Sequence, residues 1–228
     1  MAIAGVALAC LVLAGAGLTY FLLGSHKAPS AFALAASPAS GSTAALAGSW
    51  KVAPGSQVGY RAREQFINQP APTEAVARTS NVAGGMRIAV AGSSYRVTSI
   101  DFTANLASLV SQDKYASFQT YQRDFFVRSI YLQTDIYPKA EFQGSGIDVP
   151  VNLAPGPATI QATGRLTVHG VSKPVTTSLQ VQVSDANLEV AGSITVDMRD
   201  YNVSPPDISF TKAEPGVVIE YHLILARA

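Results

Sequence analysis

The sequence is poor in the residues that build reactive sites. Of its 228 residues only one is cysteine and three are histidine. Cys10 lies in the first apolar run and has no partner in the chain, so no intramolecular disulfide forms. The histidines are His26, His169 and His222, and neither an H-x-x-x-H nor an H-E-x-x-H spacing occurs. With no cysteine elsewhere to assist them, His169 and His222 are expected to be outward-facing strand residues and not metal ligands. No G-x-S-x-G elbow is present to supply a nucleophile. Charge is scarce as well, at 14% of residues with a formal net of +1. A nucleic-acid binder shows a concentrated basic face, and this balance argues against one. The composition thus predicts neither catalysis nor a cofactor.

What the chain has in abundance is apolar surface, at 48% of residues. From Ala2 to Leu23 no charge occurs. A helix over that span reaches ~33 Å, enough to cross a hydrocarbon core of ~30 Å. A cleaved signal peptide, cut after Ala33 or Ala35, is the competing reading. The run is longer than an h-region, however, and no cationic segment precedes it, so residues 1–24 are expected to form a membrane anchor. His26 and Lys27 follow the run and give almost no orientation signal. Residues 25–47, rich in alanine, serine and proline, are expected to form a flexible linker. A single globular domain is then expected over 48–228.

Within that domain the dominant period is two. "ATGRLTVHG" sets Leu166 and Val168 against Arg165, Thr167 and His169, and "VTTSLQVQVSD", "NLEVAGSITVD" and "VVIEYHLILA" repeat the pattern. "SQVGYRARE" alternates Val58, Tyr60 and Ala62 with Gly59, Arg61 and Arg63, and "MRIAVAG" with "SYRVTSIDFTANL" forms a hairpin near Ala91–Ser94. Such alternation marks antiparallel strands packed on one face. Residues 113–129 carry Phe118, Tyr121, Phe125 and Phe126 at spacings of three and four, which predicts a short amphipathic helix with Asp124 and Arg128 paired across one turn. Residues 68–81 and 149–158 read as loops. Gly170 and Pro174 make "HGVSKP" a tight connection between strands. Asn202-Val203-Ser204 fits a glycosylation acceptor, a short pattern common by chance. The sum is all-β: an antiparallel barrel of about eight strands, just wide enough for one small ligand, with a helix packed on it. For Arg123, Asp124 and Arg128 two readings stand, a solvated helix face or a polar rim where arginine meets a headgroup.

Three stretches together resemble the YceI-like family. "GSWKVAPGSQVGYRARE" is similar to its opening strand, "RDFFVRSIYLQTDIYPKAEF" to its R-D pair, helix end and tyrosine-proline entry into a strand, and "ATGRLTVHGVSKPVT" to its L-T-V-H-G-V-S-K-P-V element. The resemblance covers nearly all of 48–228. It implies a lipocalin-like barrel whose long apolar cavity binds a polyisoprenoid or related amphiphile such as a quinone, without catalysis, in an extracytoplasmic domain. Asn202 departs from the family's glycine but tolerates the same left-handed backbone. The loop at 68–79 also departs from the usual form and bears on headgroup choice. On this reading the apolar wall comprises Phe102, Leu106, Phe125, Phe126, Phe142, Leu166, Val168, Leu179, Val181, Val190, Ile194, Ile219, Tyr221 and Leu223. Arg123 and Arg128 are candidate headgroup contacts. The alternative is a solidly packed barrel that docks an envelope partner, and pairing into a homodimer is left open.

Overall fold

A computed structural model describes residues 28–35, 46–67, 69–114, 120–149, 157–184 and 187–228. The anchor expected over 1–24 lies outside them, as do most of the linker and Phe118. Among the described residues no helix is long and apolar enough to cross a membrane.

The described residues form thirteen strands in chain order: β1 (Gly48–Val52), β2 (Gln57–Phe66), β3 (Thr73–Thr79), β4 (Val82–Ala91), β5 (Ser94–Asn105), β6 (Val110–Ser111), β7 (Lys139–Gly144), β8 (Ile147–Val149), β9 (Ala158–Val168), β10 (Val171–Ser184), β11 (Asn187–Asp197), β12 (Asp207–Ile208) and β13 (Thr211–Arg227). Eight of them close a ring in the order β1-β4-β5-β7-β9-β10-β11-β13, with β13 returning to β1. Every pairing around it is antiparallel, and closure removes the exposed edges that an open sheet would present. The alternating apolar residues fix the register, since a slip of one position would turn the greasy face outward.

β13 serves two neighbours along the same flank. Leu225, Ala226 and Arg227 pair with β1, whereas residues 211–222 pair with β2, with an irregularity between Ala213 and Val217 at Pro215-Gly216. The barrel therefore has two storeys. The lower one is closed by β1, whose Trp50 is 2% exposed and donates its Nε1–H to the carbonyl of Leu46 (2.9 Å). The upper one is walled on this side by β2, β3 and β6 in succession. Its top is crossed by α1 (Thr120–Phe126), which runs on into a π turn over Val127–Tyr131.

Three local expectations are corrected. The helix begins at Thr120 among the described residues, and Asp113 belongs to the extended chain after β6. Its buried residues are Arg123 and Asp124, while Tyr121 and Phe125 face solvent, so its polar side is the one held inward. Within the expected loop 68–81, "TEAVART" forms β3, because Ala75 and Ala77 pack inward and Val76 is fully buried on the other face. The connection at 169–170 is shorter than expected. His169 (φ 50°) and Gly170 (φ 73°) make a two-residue turn with both central residues left-handed, and β10 already runs at Val171. Pro174 sits inside β10 opposite Arg165, where β11 has not yet begun to pair, so its missing N–H leaves no partner strand unsatisfied.

Part of the segment expected as linker is among the described residues. Residues 28–35 lie as a strap against the outside of the barrel. The Pro29 and Ser30 carbonyls accept hydrogen bonds from Arg61 (2.5 Å) and Arg78 (2.7 Å), and the Leu34 amide donates to Gln180 Oε1 (2.9 Å). Phe32 lies under the Arg78 guanidinium, 3.9 Å from carbon to ring centre. Beneath the strap Arg61 and Arg78 both bind Glu220, which is 1% exposed although it sits on the outward face of β13. Arg61 also pairs with Glu74 (2.8 Å), and the donors that the two guanidiniums have left go to the strap carbonyls. Composition alone could not show those donors.

Candidate functional site

The barrel is hollow. The upper storey encloses a cavity of about 490 Å³ and the lower storey a second of about 120 Å³. Ile219, midway along β13, borders both, and no other described residue does. The period-two faces of β2 and β13 place Tyr60, Ala62, Glu64 and Phe66 opposite Ala213, Val217 and Ile219 in the upper wall. α1 and its π turn roof the space with Phe126, Val127 and Ile130. The segment between β11 and β13 contributes Tyr201, Ile208 and Phe210. It is shaped by Asn202, whose left-handed backbone (φ 57°) ends a 3₁₀ turn over Met198–Tyr201.

The apolar residues expected at the wall fall into three groups. Phe102, Phe142, Leu166, Leu179, Val181, Val190, Ile194, Ile219, Tyr221 and Leu223 line the lower cavity. Leu106, Phe126 and Val168 line the upper one, which Ile219 also reaches. Phe125 lines neither; it is 56% exposed, its ring packed edge-on against Phe126 (5.8 Å). Phe142 stays against the wall because Gly164, diagonal to it on β9, has no side chain, and a Cβ there would lie 2.4 Å from the ring. Tyr221 is tied to the wall through Thr177 (3.0 Å), and burial raises its phenol pKa against the opposing effect of that bond.

One polar cluster interrupts the upper wall. Arg123 reaches down from α1, donating to Glu64 (2.8 Å) and Ser111 Oγ (2.8 Å) and forming a close pair with Asp113. Arg123 is 9% exposed and Glu64 8%, so the cluster is largely dry. Burial raises the Glu64 carboxyl above its ordinary value; Asp113 adds to the rise and Arg123 opposes it. Burial works against the charged Arg123, but Glu64 and Asp113 outweigh it and hold its pKa up. The buried Tyr60 phenol beside them is also pushed well up, chiefly by burial.

The expected Asp124–Arg128 pair is replaced by contacts that pin the helix. Asp124 accepts from the Ser111 amide (3.1 Å) and hydroxyl (2.5 Å), and Arg128 donates to the Leu109 carbonyl (2.9 Å). Both neighbours lie on the chain around β6, whose backbone groups need partners and offer better geometry than a solvated pair on one turn. Arg123 thus lines the upper cavity while committed to two carboxylates, and Arg128 lines neither cavity. Tyr60, Glu64 and Asp113 were not among the residues expected at the site. For Glu64 the signal was present, since it continues the inward alternation Val58, Tyr60, Ala62. His169 packs on Tyr137 (4.4 Å) and Gln133 (3.2 Å), and His222 lies near Phe32 and Glu189, so the two share no neighbour. Among the described residues no cluster of metal-ligating side chains occurs.

Solved structures share this architecture. BcnA of Burkholderia cenocepacia superposes with a TM-score of 0.52 at 21% identity, covering 74% of this chain and 95% of its own. A polyisoprenoid binding domain from Saccharophagus degradans, implicated in plant cell wall breakdown, gives 0.52 at 16% identity, with coverages of 78% and 98%. At these identities the likeness speaks to fold alone. No curated protein matches in sequence. The model of the YceI-like domain matches residues 50–224, the strands, the helix and both storeys of the cavity included, and the chain accordingly belongs to the YceI-like domain family.

Proposed function

We propose that the barrel binds the tail of a polyisoprenoid or related amphiphilic lipid and stores or carries it at the cell envelope. The observation that carries this reading is the predominantly apolar lining, broken by one internally paired polar cluster, around an upper void of about 490 Å³. A dry cavity of ~150 Å³ takes one benzene, so the upper storey has room for roughly three such groups, or about fifteen to twenty carbons. Each methylene removed from water contributes ~0.8 kcal/mol, and a branched hydrocarbon tail needs width and greasy walls rather than special contacts. The polyisoprenoid-binding neighbour of the same fold supports the reading. A solidly packed docking barrel fits less well, because packed interiors leave few voids larger than a water.

The headgroup belongs beside Arg123 and Glu64, the charged groups of the upper wall. There one guanidinium faces two carboxylates, Glu64 and Asp113, so the cluster has no spare positive charge for a phosphate. An uncharged head, such as a quinone carbonyl or an alcohol, fits this field. Residues 1–24 would hold the barrel at the membrane on the extracytoplasmic side, as the family resemblance implies, or release it if cleaved.

Two measurements test this. Solvent extraction of the full-length protein from its native membrane should yield a prenyl lipid by mass spectrometry. In solution, farnesol should bind at least about tenfold more tightly than farnesyl phosphate, a difference of ~1.4 kcal/mol. Equal or tighter binding of the phosphate would overturn the uncharged head, and binding of neither, with no lipid extracted, would overturn the lipid reading.

A further inference from the structure

Of the ten large apolar side chains left in water among the described residues, six gather in one place. Ile67, Phe125, Phe126, Ile130, Ile208 and Phe210 are all more than two-fifths exposed. They sit together at one end of the barrel: Ile67 donates its backbone N–H to the Phe210 carbonyl (3.0 Å), Phe125 packs on Phe126, and Phe126, Ile130, Ile208 and Phe210 line the upper cavity. They form a greasy crown over the end of the barrel that holds the upper cavity. Scattered exposed apolar residues need no explanation, but a contiguous group marks an interaction site.

We propose that this crown dips into the outer layer of a lipid bilayer, so that a tail passes between membrane and cavity without crossing water. Three observations favour lipid over another partner. The charges just below the crown alternate in sign, Arg63 with Glu214 and Lys212 with Asp207, and offer no net field to a charged protein surface. A second copy seated on the crown would stopper the cavity it surrounds. The third is the reach of the chain. The strap fixes Pro29 at Arg61, six residues along β2 from Ile67, which is about 20 Å at ~3.4 Å per residue. The uncharged run ends at Leu23, six residues before Pro29, and six extended residues also span about 20 Å. A bilayer holding that run is therefore within reach of the crown. The tether would permit either end of the barrel to approach; the crown selects the end.

This inference deepens the lipid-binding reading and rests on it for its purpose, but its test needs no isoprenoid. The full chain carrying Cys10→Ser and one new cysteine, Ile67→Cys, Phe125→Cys or Val90→Cys, is labelled with bimane and reconstituted in phosphatidylcholine vesicles brominated in the acyl chains. Val90 is 67% exposed but lies beside the β4–β5 turn, at the other end of the barrel. An interfacial element sits ~5–10 Å into the headgroup–acyl boundary, so labels at 67 and 125 should be quenched about twofold more than the label at 90. Equal quenching at all three positions overturns the proposal. So does shielding of the crown labels from both lipid bromine and aqueous iodide, the signature of a second copy covering them. Crown quenching in a protein that binds no farnesol would leave the docking intact and refute the lipid cargo.

Discussion

Replacing Arg123 with methionine probes the polar cluster most directly. The substitution keeps a long apolar stem against the cavity but removes hydrogen bonds to Glu64, Ser111 and Asp113 at once. Two buried carboxylates would then face each other without their cation. Breaking a buried ion pair by deleting one partner costs about 3–5 kcal/mol, because the remaining charge stays desolvated. Against a typical total of ~5–15 kcal/mol that is a large fraction. For a domain of this size each kcal/mol lowers Tm by ~2–4 °C, so a fall of roughly 6–20 °C is expected. Urea titration followed by circular dichroism measures the loss. Adding Glu64→Gln to Arg123→Met should recover part of it, since one of the stranded charges is gone, and the double-mutant cycle reads the coupling. A loss below about 1 kcal/mol, or no recovery in the double variant, would refute the claim that charge pairing holds the helix over the cavity.

Two more outcomes follow from the same geometry. Because burial raises the Glu64 pKa in the folded state, its contribution to stability is complete below the ordinary carboxylate range and is lost as pH rises through the raised value. Glu64→Gln should therefore flatten the decline of Tm across that window, and an unchanged pH profile would contradict the shift. On the outer wall, Phe32→Ala removes a cation–π contact worth ~1 kcal/mol with Arg78, so exchange of the Leu34 amide should quicken about five- to tenfold. Unaltered exchange there would mean that Phe32 does not hold the strap.

Much of the barrel was legible because its signal is local. Leu188, Val190 and Ile194 alternate with polar neighbours, and period two has a single structural meaning when one face is buried. Gly170 announced the turn, and the aliphatic residues of β9, β10, β11 and β13 were readable as wall. The polar cluster was not legible, because it joins three distant segments. Glu64 continues an alternation whose earlier members are apolar, Asp113 lies in a stretch with helical spacing, and Arg123 could be read as solvated until Glu64 and Asp113 were seen beneath it. Spacing on one helix predicted a bond between Asp124 and Arg128; it could not weigh the competing backbone of β6. The strap escaped for a related reason. Its own residues are bland, and what fixes them is a pair of arginines held on the far side of a strand pairing.

Ile219 is the point where this architecture becomes adjustable. As the side chain that borders both cavities, it stands where a guest would pass from the antechamber toward the inner room. Trimming it to alanine would enlarge both spaces at their shared border, and enlarging it to phenylalanine would narrow them there. Chain-length preference could thus drift between relatives through one position, with every strand left where it is.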